Sequence, residues 1–215
     1  MSKKTLTIEG ITFPDFGDDK SKKNFRLVFF IGYKDANGKK KLTIVSKPDT
    51  GQWQWRNFEK EFFLPASDIG DSVELETGIL SSGQSGFSDS DNVITEIDGD
   101  LTSVTVQFMD VHDPSLKNFL QKKILPQIIA HLQSLGINPI DLVPIPGAFT
   151  TIIKDNVKID DLANKFKEFL TKENKDKLLN SLNQKYAGEN PFVISGRKEW
   201  KTGKTGTYAV TIGFE

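Results

Sequence analysis

The chain has 215 residues, 37% hydrophobic and 27% charged, with a formal net charge of -1. Those are the proportions of a folded globular protein, and the near-zero balance removes any global basic bias toward nucleic acid. Cysteine is absent, which excludes disulfides, thiolate metal sites and cysteine nucleophiles. Charge is nonetheless unevenly spread: residues 1–110 hold 13 Lys/Arg against 18 Asp/Glu, and residues 111–215 hold 15 against 11. The opening "MSKKTLTIEG" enters a strand-like alternation without an apolar signal-peptide core. No apolar run approaches the roughly 20 residues of a membrane-spanning helix. The expected location is cytoplasmic, or outside the cell by a route without a cleaved signal peptide, with peripheral membrane association compatible with both.

Up to about residue 110 the pattern is β. "TLTIEGITF" alternates Leu6, Ile8 and Ile11 with polar neighbours. "FRLVFFIGY" places Phe25, Leu27, Phe29, Ile31 and Tyr33 on one face and Val28 and Phe30 on the other, as a central strand does. Asn37-Gly38 then signals a hairpin, because its turn needs positive φ. "KLTIVS", "NFEKEFFLP" and "SVELETGIL" read as further strands, and "VITEI", Asp98-Gly99 and "LTSVTVQFMD" as another hairpin.

Beyond residue 110 the period changes. From Pro114 to Leu135 the apolar residues recur at helical spacing, capped by Asp113 and stopped by Gly136, with Pro126 expected to kink the helix. "INPIDLVPIPGAF" reads as a proline-rich connector. A second helical pattern runs from about Asp160 to Tyr186 through Leu162, Phe166, Leu178, Leu179 and Leu182. "PFVISGRKEW" and "GTYAVTIGFE" return to β. The expected fold is α+β: one domain over residues 1–215, an antiparallel β-sandwich (1–110) with two amphipathic helices inserted (111–190) before a closing C-terminal hairpin (191–215).

Few residues suggest catalysis. The two histidines, His112 and His131, have no Ser or Asp spaced to form a triad. "TGKT" at Thr202–Thr205 lacks the upstream glycine of a phosphate loop, Lys198 standing in its place, and no helix follows it. Acidic loops are the stronger feature. Asp15, Asp18 and Asp19 lie between the first two strands, and Asp89 and Asp91 end the stretch "SSGQSGFSDSD". Calcium takes six to eight oxygen ligands from such converging loops. In "GQWQWRNF", Trp53 and Trp55 share one face of an extended segment and offer either core packing or an interfacial aromatic pair. Phe87 stands near the tip of the second loop.

The order of "IEGITFPDFGDDKSKKNFRLVFFIGY", "WQWRNFEKEFFLP" and "VELETGILSSGQSGFSDSDNVITEID" resembles the calcium- and phospholipid-binding β-sandwich domains first defined in protein kinase C. The resemblance covers about half the chain. In that family an acidic loop follows the first strand, a Trp-Asn-Glu-like segment leads an aromatic strand, and an Asp-x-Asp loop precedes Asp-Asp-x-Ile-Gly. Trp55, Asn57 and Phe58 stand near the second feature, and Asp89, Asp91 and Ile94 near the third. Where the family begins its third loop with Asp-x-Asp, this chain has Leu80-Ser81-Ser82, which removes two bridging carboxylates.

These readings converge on a non-enzymatic binding module for a membrane lipid, a glycan or a protein partner. Its ligand-binding residues would be Trp53, Trp55 and Phe87, and Asp15, Asp18, Asp19, Asp89 and Asp91 would be calcium ligands. Two other classes fit the same residues. One is a membrane-active, toxin-like protein that releases an amphipathic helix on binding. The other is a hydrolase that uses paired carboxylates.

Overall fold

The computed structural model describes residues 3–12, 22–47, 53–56, 61–63, 73–74, 79–81, 93–110, 125–134, 143–145, 148–153, 157–174, 177–199 and 205–214. In chain order the strands are β1 (Lys4–Thr12), β2 (Lys22–Asp35), β3 (Lys40–Lys47), β4 (Trp53–Arg56), β5 (Glu61–Phe63), β6 (Val73–Glu74), β7 (Ile79–Ser81), β8 (Val93–Ile97) and β9 (Gly99–Asp110). Helix α1 (Leu125–Ser134), strands β10 (Val143–Ile145) and β11 (Ala148–Ile152), and helix α2 (Ile159–Asn174) follow. Strands β12 (Lys177–Lys185), β13 (Phe192–Glu199) and β14 (Thr205–Phe214) complete the described chain.

All the strand pairs are antiparallel, and they form two sheets. In the five-stranded sheet β1 lies between β14 on one side and β7 and β8 on the other, with β13 outside β14. In the nine-stranded sheet the long β2 is central. It pairs with β9, and through it β12, on one side, and with β3, β11 and β10 on the other. β4 to β6 continue the β3 side past the end of β3, since Lys47 pairs with Leu27 and Trp53 with Phe25.

The sheets face each other across one core, as in a β-sandwich. Leu6, Ile8, Tyr208, Val210 and Ile212 from the first sheet meet Leu27, Phe29, Ile31, Val106 and Phe108 from the second. Phe108 and Tyr208 pack edge to face across the interface with ring centroids 5.0 Å apart. The even-numbered residues of β2 (Val28, Phe30) are also fully buried, so this strand is apolar on both faces for a structural reason. Its second face lies under α2, whose Ile159, Leu162 and Ala163 are buried. The buried Gln107 side chain donates to the Ala163 carbonyl at 2.7 Å and fixes the helix to β9.

The Asn37-Gly38 hairpin forms between β2 and β3, with Gly38 at φ 75°. Asp35 organises it: its carboxylate accepts the backbone N–H groups of Asn37 and Lys39, both at 2.9 Å. Asp98-Gly99, by contrast, does not join a hairpin. β8 belongs to the first sheet and β9 to the second, so the chain crosses between layers at Asp98. Gly99 is required there by close approach, since a Cβ would collide with the Lys34 carbonyl oxygen.

The region after residue 110 departs most from the sequence expectation. Helix α1 is described from Leu125 to Ser134 and includes Pro126 and His131. Asp113, Pro114 and His112 lie outside the described residues. The proline-rich connector contains the hairpin β10–β11, which extends the edge of β3, and Pro144 is tolerated because β10 is an edge strand among the described residues. The second helical pattern ends at Asn174, and Lys177–Lys185 is a strand paired with β9. A bulge explains the misreading. The register shifts between Leu178 and Asn180, so Leu179 packs against the same core as Leu182 and Tyr186. In a strand such a bulge reproduces the three- and four-residue spacing of a helix face. The C-terminal hairpin of β13 and β14 is present, with Glu199 opposite Thr205.

Candidate functional site

The register of β1 locates the attachment of both acidic segments. Thr12, the last residue of β1, pairs with Ile79, and Gly10 pairs with Ser81. Thr12 and Ser81, which precede the segments 13–21 and 82–92, therefore stand two residues apart along β1, about 7 Å. The second segment returns further along the same edge, where Val93 pairs with Thr7. β7 and β8 thus share one edge of β1, and residues 82–92 join them.

The aromatic segment attaches at the same end. β2 begins at Lys22, directly after the first acidic segment, and Lys22 pairs with Arg56, Lys23 with Trp55 and Phe25 with Trp53. Trp55 also pairs with Phe62. Phe87, Asp15, Asp18, Asp19, Asp89 and Asp91 lie outside the described residues. Ser81 is in β7, so the Leu80-Ser81-Ser82 departure begins inside a strand. Among the described residues no three His, Asp or Glu side chains form a group suited to a metal ion.

The opposite end of the strands carries two features of charge. The first is a compact ion network. The Lys41 ammonium lies 3.5 Å from the Asp35 carboxylate, 3.2 Å from Asp98 and over the Tyr33 ring. Partial burial works to lower the Lys41 pKa, but Asp98, Tyr33 and Asp35 outweigh it and hold the value above that of an ordinary lysine. For Asp35 the desolvation works upward, yet the Lys39 and Asn37 amides and Lys41 hold the carboxyl below its usual range. Burial pushes the Tyr33 phenol up.

The second feature is a cleft of about 420 Å³ at the N-terminus of α2. Lys34, Lys40, Lys158 and Lys185 line it, together with Thr102, Ser103, Asp160 and Asn183. The four lysines come from β2, β3, the residue before α2, and β12. Asp160 is tied down: it accepts from Thr105 Oγ1 at 3.1 Å and from Asn183 Nδ2 at 2.7 Å. Lys40 donates to the Val157 carbonyl at 3.0 Å. Sequence reading missed this cleft because its residues are scattered along the chain. Counting outward from a two-residue Asn37-Gly38 turn would set Lys34 against Lys41, whereas the observed register places it opposite Lys40.

A further cleft of about 390 Å³ lies between His131 of α1 and the first half of α2, lined by Asp161, Lys165 and Glu168 among others. Lys165 donates to Glu168 at 2.7 Å, and this bond with its charge holds the Glu168 carboxyl below its ordinary value. Among the described residues no helix is long and apolar enough to cross a membrane. Compared with protein-family models, curated proteins and solved structures, the chain matches none.

Proposed function

We propose that the protein is a non-enzymatic binding module that recognises a membrane surface through the end of the sandwich where Thr12 and Lys22 lie. One observation carries this reading. The pairs Thr12–Ile79, Gly10–Ser81 and Lys23–Trp55 attach both acidic segments and the tryptophan segment to the same end. Loops grouped at one end of a sandwich are a common way to build a recognition surface on a rigid scaffold. The arrangement supports the resemblance to the protein kinase C type of calcium- and phospholipid-binding domain. In that reading Asp15, Asp18, Asp19, Asp89 and Asp91 hold calcium, which would bridge the protein to anionic headgroups. Trp53, Trp55 and Phe87 supply the interfacial aromatic contacts.

Co-sedimentation with phosphatidylserine vesicles, with calcium and with a chelator, tests the proposal. Calcium-dependent binding that is lost in Asp15→Asn/Asp18→Asn and weakened in Trp53→Ala/Trp55→Ala is the expected result. Absence of binding in both conditions would overturn the membrane reading. Binding that ignores calcium would overturn the role of the five aspartates.

A further inference from the structure

We infer that the lysine-lined cleft at the N-terminus of α2 is a second binding site, specific for a phosphate-bearing anion. It lies at the hairpin end of β2, twelve residues from Lys22, or about 40 Å along the strand. It is therefore independent of the surface proposed above.

Three observations lead to this. First, Lys34 and Lys40 are direct cross-strand partners in the β2–β3 register, and both line the cleft. Like charges directly opposite on one face of a sheet destabilise it. An anion between them turns that repulsion into attraction. Secondly, Lys3, Lys4 and Lys41 at this end have carboxylate partners, while among the described residues the lysines of the cleft do not. Lys3 pairs with Glu96, Lys4 with Asp100, and Lys41 with Asp35 and Asp98. Among the described residues, none of Lys34, Lys40, Lys158 and Lys185 forms an ion pair. Among the described lining residues the one carboxylate, Asp160, is held by Thr105 and Asn183. Thirdly, the cleft sits at the first turn of a 16-residue helix, the end that favours negative charge. Its volume of about 420 Å³ suits a small molecule or a lipid headgroup. The Ser103 and Asn183 side chains add neutral polar groups to the lining. Lysines contributed by four elements to one lining suit an anion with several oxygens, as a phosphomonoester or diphosphate has.

The same chemistry is presented by a soluble phosphate compound and by a phosphomonoester lipid, and one set of measurements separates them. Isothermal titration with inorganic pyrophosphate, in calcium-free buffer of low ionic strength, should show saturable binding that weakens as sodium chloride is added. Lys34→Gln/Lys40→Gln should weaken it about tenfold or more, and Lys185→Gln, at an exposed rim position, by roughly three- to tenfold. Lys3→Gln/Lys4→Gln, which removes the same charge from paired lysines at the same end, should leave it unchanged.

Vesicles containing phosphatidic acid, also free of calcium, form the second arm. Capture by vesicles with the same dependence on Lys34 and Lys40 identifies a lipid headgroup. Binding of pyrophosphate without vesicle capture identifies a soluble compound. The proposal is overturned if neither probe binds, or if Lys3→Gln/Lys4→Gln weakens binding as much as the cleft variants do. Thermal melts without ligand guard against misfolding, since relief of the Lys34–Lys40 repulsion should leave the double variant at least as stable as the parent.

Discussion

Ile159 lies directly on Gly32: a Cβ at Gly32 would collide with the Ile159 Cδ1 methyl. The missing side chain lets the first turn of α2 settle on the back of β2, and that contact sets the height of Lys158 and Asp160 over the sheet. Gly32→Ala is therefore expected to destabilise the protein by about 1–3 kcal/mol through overpacking. At this chain length that corresponds to a melting temperature lower by about 2–4 °C per kcal/mol. Adding Ile159→Ala should recover part of the loss, so the double variant falls by less than the sum of the singles. Additive losses would show that the two residues do not share the contact.

The bulged strand β12 makes a second prediction. Leu182 is buried in the core and faces Gly196 of the opposite sheet, whose lack of a side chain makes room for it. Leu182→Ala should cost about 2–5 kcal/mol. Ser181→Ala, on an exposed neighbour, should change stability by no more than about 0.5 kcal/mol. Urea denaturation of both variants checks this contrast.

The Asp35 network predicts an acid response. Its carboxyl titrates below the ordinary value of 3.8 because the charged form is bound by two amides and Lys41. A carboxylate with a depressed folded pKa contributes its full stability above the unfolded value. That contribution is lost as the pH falls through the folded one. Asp35→Asn should lower the melting temperature at pH 7. The gap from the parent should close as the pH drops below about 4. Melts across that range decide the matter, and a constant gap would exclude the charge of Asp35 as its source.

A fourth prediction concerns the hydroxyl pair joining β3 to β11. Thr43 and Thr150 share a hydrogen bond of 2.7 Å, and Thr43 is fully buried. Thr43→Val leaves Thr150 without that partner and should cost about 1 kcal/mol. Replacing both by Val should cost less than the two single changes together. Chemical denaturation of the three variants gives the coupling.

Much of this arrangement was legible in the sequence where signals are local. Two-faced hydrophobicity marked β2 as central, and Asn37-Gly38 marked its hairpin. Local signals failed where a tertiary feature altered the period. The bulge at Leu178–Asn180 gave a strand the spacing of a helix, and Asp98-Gly99 looked like a hairpin turn although it carries the chain between layers. The lysine cleft was illegible for another reason. Lys34, Lys40, Lys158 and Lys185 meet only because α2 lies back across β2, β9 and β12, and no short window of sequence contains them.

The pairing of β1 with β14 carries a consequence for synthesis. Leu6 pairs with Phe214 and Ile8 with Ile212, so one flank of β1 is completed by residues about 200 positions later in the chain. Contacts of such sequence separation form slowly, because chain entropy must be lost before they bring any gain. Until β14 emerges, a growing chain presents β1 with an open edge and its core-facing leucine and isoleucines uncovered. Open edges and bare apolar faces are what draw chains together into aggregates. The yield of soluble protein should therefore fall sharply when the chain is cut before Thr205, even though the central strand β2 and both of its neighbours remain.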